Sequence, residues 1–197
     1  MKISFCVSTG PSLDSFDVSI LGGVGPIYSH DIVSGFAAVD NLIVTDAAKI
    51  TEIMATGYKT NYYTTTDIYK KLPESEYLHE LSPLPQRGKR QQDMPHNWSP
   101  AALAVLLASQ QNSSLVFMLG YEQIGMDSQV AELMGSTQEA PNNSYLTYQL
   151  ARVYEWFPNT QFIMIQSETS VLLPSWSNYV NLTTDSFASL QQFLDNF

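Results

Sequence analysis

The residues best suited to hold a ligand follow the first apolar run of the sequence. That run, 3–7 (Ile-Ser-Phe-Cys-Val), predicts a short buried strand, and turn-forming residues end it. A glycine at such a turn lets the backbone approach a ligand closely, and exposed amides between a strand and a helix suit phosphate. The sequence therefore predicts a phosphate site on this turn, with a plain proline-containing turn as the alternative. The turn residues are Thr9, Gly10, Pro11 and Ser12.

Two histidines and one carboxylate are candidates for proton transfer. His30, followed by Asp31 at a predicted strand end, could act as a base with its own orienting carboxylate; an ordinary surface pair is the alternative. His96 precedes a predicted helix and could give a proton to a leaving phosphate, with an ordinary loop histidine as the alternative. Glu122 follows another predicted strand and could serve as a general base.

A basic cluster interrupts this acidic sequence. Arg87, Lys89 and Arg90 are three of its nine Lys and Arg residues, and they lie in segment 73–97, where prolines break any period. Long segments without secondary structure are often lids or binding loops. We therefore predict a loop or lid over 73–97 whose cations close over an anionic ligand such as a diphosphate, with a solvated loop as the alternative.

Alternating strands and helices must position these residues. Strands that alternate with helices in short units predict an α/β domain with a mostly parallel sheet. Parallel sheets bind ligands in the crevice at the carboxyl ends of their strands, which is where the polar candidates fall. The strands are predicted at 3–7, 26–29, 41–45, 58–64, 115–119, 161–165 and 178–182, and the helices at 47–56, 67–72, 100–110, 145–157 and 186–195.

Composition excludes several classes of protein. The 197 residues fit one domain, 1–197, and no apolar run approaches the roughly 20 residues of a membrane span. A formal charge of −10 opposes general binding to nucleic acid or to anionic membranes. The single cysteine, Cys6, predicts a buried hydrophobe rather than a disulfide. The sequence shows no signal peptide, so a cytoplasmic protein is expected. No zinc-binding histidine pair, phosphate-binding GxxxxGK[ST] loop or Ser-His-Asp pattern is present.

Three segments, taken in order, resemble a known family. They are the turn 10–13 (Gly-Pro-Ser-Leu), the strand 41–46 (Asn-Leu-Ile-Val-Thr-Asp), and 96–122, where a capped helix leads to a strand that ends in Gly-Tyr-Glu. Together they resemble a Rossmann-like family that contains archaeal 6-hydroxymethylpterin diphosphokinase-like proteins and bacterial proteins linked to flagellin glycosylation. The turn is also similar to the nucleotide-sugar turn of bacterial sialyltransferases. Those families commonly have a glycine where this sequence has Ser8.

The resemblance implies a Rossmann-like α/β fold, with a mostly parallel sheet and helices on both faces. It also implies a nucleotide or diphosphate site on the turn 10–12, with Asp46 nearby as a ligand of Mg²⁺. Four more residues would line the same crevice: Asn97, Ser99, Gly120 and Glu122.

These observations lead to two hypotheses about function. The first is a transferase that binds a nucleotide-sugar or nucleoside diphosphate donor, in which electrostatic positioning carries most of the chemistry. The second is a non-catalytic interaction protein on a degenerate version of the same fold. The ligand expected in the first case is a nucleotide or sugar nucleotide, and a homo-oligomer is compatible with either.

Overall fold

The computed structural model describes residues 1–30, 39–82, 84–85, 98–121, 143–166 and 172–197, with only the backbone described for 14, 15 and 143–145. These residues form an eight-stranded sheet in which every pairing is parallel. The predicted α/β class with a parallel sheet and helices is confirmed.

The strands are short and include the predicted central ones. They are β1 (Ile3–Val7), β2 (Ile27–Ser29), β3 (Asn41–Ile43), β4 (Asn61–Thr64), β5 (Leu78–Glu80), β6 (Leu115–Leu119), β7 (Gln161–Ile165) and β8 (Leu182–Asp185). The order across the sheet is β5-β4-β3-β2-β1-β6-β7-β8. The chain therefore builds outward from β1 in one direction, returns at β6, and builds outward in the other direction.

Helices connect the strands. They are α1 (Ala47–Ala55), α2 (Thr66–Tyr69), α3 (Pro100–Gln110), α4 (Asn143–Trp156) and α5 (Phe187–Asp195), with short 3-10 segments at Pro11–Ser15, Val18–Leu21 and Pro174–Trp176. Local sequence explains several ends. The Ser99 side chain accepts a hydrogen bond from the amide of Ala101, and Pro100 occupies the first turn of α3, where its missing N–H costs nothing.

The core lies on both faces of the central strands. Every residue of β1 and β6 is buried, because helices or 3-10 segments cover both faces. Cys6 and Met118 pack beneath α3 and α4, whereas Phe5 and Phe117 point to the opposite face. Phe5 and Phe117 are register partners and stack with ring centroids 5.5 Å apart, which joins β1 to β6 through side chains as well as backbone.

The segment predicted as a loop or lid over 73–97 contains a strand. β5 lies within this segment and pairs with β4, and Leu81 and Leu84 are buried just after β5. The strand was missed because it is three residues long and lies among prolines, so no period is visible. Residues 83 and 86–97 lie outside the described part of the chain.

The last strand is displaced from its predicted position. It was expected at 178–182, but β8 begins at Leu182. The buried Asn181 side-chain amide donates to the carbonyls of Tyr154, Phe157 and Thr160 at 3.0, 3.1 and 3.3 Å. These bonds hold 178–181 in a turn against the end of α4, so pairing with β7 starts afterwards.

No helix in the described part of the chain is long and apolar enough to cross a membrane.

The position of β1 predicts a protected thiol. Cys6 has no exposed surface, and burial raises the pKa of its thiol. We expect a disulfide reagent such as DTNB to modify the native protein at least about a thousandfold more slowly than a free cysteine, since modification requires unfolding. Modification of Cys6 at the rate of an exposed thiol, under native conditions, would contradict this placement.

Candidate functional site

The strand order reverses between β1 and β6, and we call the carboxyl edge of the sheet over β1, β2 and β6 the crevice. The chain that follows β1 connects to β2 on one side, whereas the chain that follows β6 connects to β7 on the other side. Open parallel sheets bind ligands outside the carboxyl ends of the strands at such a reversal. The residues there are 8–10 after β1 and Gly120 and Tyr121 after β6.

The two chain segments stay paired beyond the strands themselves. The amide of Ser8 donates to the carbonyl of Leu119 at 2.9 Å, and the amide of Gly10 donates to the carbonyl of Gly120 at 3.0 Å. Gly120 has φ +73°, and a Cβ there would stand 2.9 Å from the Gly10 nitrogen and 2.7 Å from a methyl of Leu13. Gly120 is therefore required by both its conformation and its surroundings. Gly10 is buried, with its amide engaged in this pairing.

Thr9 presents its backbone on the other side of this pairing. Residues 8 and 10 donate toward β6, whereas Phe5 donates to the carbonyl of Pro26, just before β2. By this alternation the amide of Thr9 faces the β2 side. Thr9 is exposed, and no hydrogen bond joins its amide or hydroxyl to another described residue. Its amide is therefore available to an anion at the crevice.

A serine and a histidine meet beside Thr9. Ser8 follows β1, His30 follows β2, and Ser8 Oγ lies 2.9 Å from His30 Nε2. The strands beneath them are held in place because the Ser29 hydroxyl donates to the carbonyl of Val7 at 3.0 Å. Ser8 is 9% exposed and the imidazole is half-buried. The arrangement can pass a proton between the hydroxyl and the ring.

The contact between Ser8 and His30 was not predicted from the sequence. The sequence pairs His30 with Asp31, and at Ser8 it shows only the replacement of a glycine common in the family that it resembles. The register Val7↔Ser29 makes the residues after β1 and β2 neighbours. That adjacency was predictable only if β1 and β2 were known to pair.

The N-terminal end of α3 lies beside the residues that follow β6. The hydroxyl of the buried Tyr121 donates to the carbonyl of Ala101 at 3.0 Å, and burial raises the pKa of that phenol well above its usual value. The amide of Ser99 donates to the buried Gln149 side chain at 2.9 Å, while its hydroxyl caps α3. Ser99 is thus held at the carboxyl edge and already serves the helix.

Asp46 lies farther from the turn. It follows β3, two strand spacings or about 10 Å from β1. Its exposed carboxylate accepts a hydrogen bond from the amide of Lys49 at 2.8 Å and caps α1. Asp46 therefore has a structural role at the start of this helix.

The structure brings most of the predicted turn residues to one place. Thr9 and Gly10 lie beside Gly120 and His30, and Pro11 and Ser12 begin the 3-10 segment that leaves the turn. Seven other candidates lie outside the described residues: Asp31, Arg87, Lys89, Arg90, His96, Asn97 and Glu122.

A polar cavity of about 320 Å³ lies at the opposite end of the sheet. It is lined by 112–114, which precede β6, and 157–160, which precede β7. It is therefore separate from the crevice at the carboxyl ends.

No family model, curated protein or solved structure matches this chain. The family resemblance drawn from the sequence motifs stays a prediction.

The pairing of Gly10 with Gly120 can be tested with two matched glycines. In Gly57→Ala the added Cβ meets no atom within 4 Å. Only the left-handed backbone, with φ +77°, should lower its free energy of unfolding, by about 1 to 2 kcal/mol. Gly120→Ala has the same backbone cost, and its Cβ also clashes with Gly10 and Leu13. Its free energy of unfolding should therefore fall by about 1 to 3 kcal/mol more. Urea unfolding of both variants measures the difference. Equal losses would show that the ends of β1 and β6 do not pack this closely.

Proposed function

We propose that the chain is a transferase that binds a nucleotide-sugar or nucleoside diphosphate donor in the crevice over the ends of β1, β2 and β6. The observation that carries the proposal is the contact between Ser8 and His30 beside the available amide of Thr9. The contact lies at the carboxyl ends of β1 and β2, so a proton-transfer group and an N–H that can bind an anion stand next to the reversal of strand order between β1 and β6, where ligands bind in sheets of this kind.

The turn supports binding of the donor phosphates. The amide of Thr9 faces the crevice, and the chain leaves β1 through a 3-10 segment that starts at Pro11. A neutral turn with an available N–H can accept an anion without placing a carboxylate against it. This matters in a chain of net charge −10, whose overall charge repels phosphate.

His30 supports proton transfer to or from the acceptor. Its ring is half-buried at the crevice, and the contact with Ser8 restrains the orientation of the imidazole. A histidine held in this way can take a proton from an acceptor hydroxyl during the transfer. The remaining contribution would come from positioning the two substrates.

Mg²⁺ at Asp46 stays a prediction from the sequence. The described residues contain no group of three or more His, Cys, Asp or Glu side chains that could hold a metal ion. Asp46 is a single exposed carboxylate engaged as a helix cap.

Binding of the donor can be tested with a charge placed on Thr9. Wild-type protein should bind at least one CMP-, UDP-, GDP- or ADP-linked sugar, or the corresponding diphosphate, at or below millimolar concentration. Thr9→Glu should weaken binding about tenfold or more, because a carboxylate would stand beside the donor phosphates. Isothermal titration calorimetry measures the affinities.

Two control variants separate local from general effects. Thr9→Gln is neutral at the same exposed position and should bind within about threefold of wild type. Thr184→Glu adds the same charge on exposed β8, three strand spacings or about 14 Å from β1, and should bind like wild type. Equal weakening by both Glu variants would remove the turn from the site, and wild-type protein that binds no donor would overturn the proposal.

One observation favours the non-catalytic alternative. The amide of Gly10, expected to hold the donor, and the carboxylate of Asp46, expected to hold Mg²⁺, both make hydrogen bonds within the fold. If wild-type protein binds no donor, the interaction-protein hypothesis takes the place of the transferase.

A further inference from the structure

The pair formed by Ser8 and His30 has the parts of an activated nucleophile. The hydroxyl lies 2.9 Å from Nε2, which is hydrogen-bonding distance for a base that takes the serine proton. With the hydroxyl donating to Nε2, the ring carries its own proton on Nδ1. We propose that Ser8 is a covalent nucleophile and that His30 is its general base.

The backbone around Ser8 fits that role. The amides of Ser8 and Gly10 are fixed to the carbonyls of Leu119 and Gly120, so the nucleophile stands on a rigid support. The amide that directly follows it, on Thr9, has no partner among the described residues. An amide just after a nucleophilic serine at a strand end is well placed to stabilise charge on the atom that the serine attacks.

Another serine and another histidine of the described residues have different partners. Ser4, on the same strand, has no exposed surface, and its hydroxyl bonds to the hydroxyl of Ser113 at 2.6 Å. His79, also half-buried, lies 3.3 Å from the amide oxygen of Asn61 and packs against Tyr63. Ser8 and His30 instead contact each other at the crevice, where Ser8 retains some exposed surface.

The substrate class is an ester or anhydride of phosphoric acid, a choice that rests on the proposed function. Ser8 Oγ would form a bond to phosphorus as the bond from phosphorus to the leaving oxygen breaks, and the serine proton would pass to His30 Nε2. His30 would give that proton to the leaving oxygen. An acceptor hydroxyl would then attack the phosphorus, its proton would pass to His30, and Ser8 would leave with that proton.

A fluorophosphonate probe tests the nucleophile without a known substrate. The serine oxygen displaces fluoride from phosphorus, so the native protein should gain one equivalent of probe on the peptide that contains Ser8, as read by mass spectrometry. Ser8→Ala should abolish labelling. His30→Asn should slow it about a hundredfold or more, because the base is lost. His79→Asn is the matched control and should label at the wild-type rate.

A second variant keeps a nucleophile at position 8 and tests the base without relying on Ser8→Ala. Ser8→Cys is nearly isosteric and should be alkylated by iodoacetamide, with loss of iodide, faster than the same variant that also carries His30→Asn. The native Cys6 contributes little background because it is fully buried.

The outcomes separate this inference from the proposed function. Labelling of Ser8 that depends on His30 supports the nucleophile, and it does so even if calorimetry detects no nucleotide. Failure to label folded wild-type protein, labelling at another residue, or equal rates with and without His30 would overturn it, even if a nucleotide binds.

Discussion

The pairing of Gly10 with Gly120 is the constraint on which the rest of the arrangement depends. It carries the hydrogen bonding of β1 and β6 past the last residue of each strand, at the point where the sheet reverses its order. Only a residue without a side chain fits at 120, because φ is positive and the Gly10 nitrogen is too close for a Cβ. The stacked rings of Phe5 and Phe117 join the same two strands lower in the sheet.

This constraint also decides which groups face the crevice. The amide of Gly10 is used between the strands, whereas the amide of Thr9, on the β2 side, has no hydrogen-bond partner among the described residues. The same side carries the contact between Ser8 and His30. In the turn expected from the sequence to bind phosphate, the amide of Gly10 thus serves the fold, and the amide of Thr9 lies beside the contact between Ser8 and His30. Both proposals depend on that arrangement.

Sequence alone was sufficient for the central strands and insufficient for the contacts between them. Continuous apolar runs predicted β1, β6 and β7, since a strand covered on both faces needs no polar positions. β5 was missed because only one of its three residues, Leu78, is apolar and prolines lie on both sides of it. Asp46 illustrates a second limit. A carboxylate between a strand and a helix can be a ligand or a cap, and the sequence is the same in both cases. The meeting of Ser8 with His30 required the strand order.

The measurement that tests the account most directly is a titration of ¹⁵N-labelled protein with the donor panel, followed by two-dimensional NMR. We expect the NMR signals of the Thr9 amide and the His30 imidazole to shift together and to saturate with one affinity. The amides of 112–114 and 157–160, around the cavity at the opposite end of the sheet, should not move. Shifts confined to that cavity, or no shift at Thr9 and His30 at millimolar donor, would contradict the placement of the site.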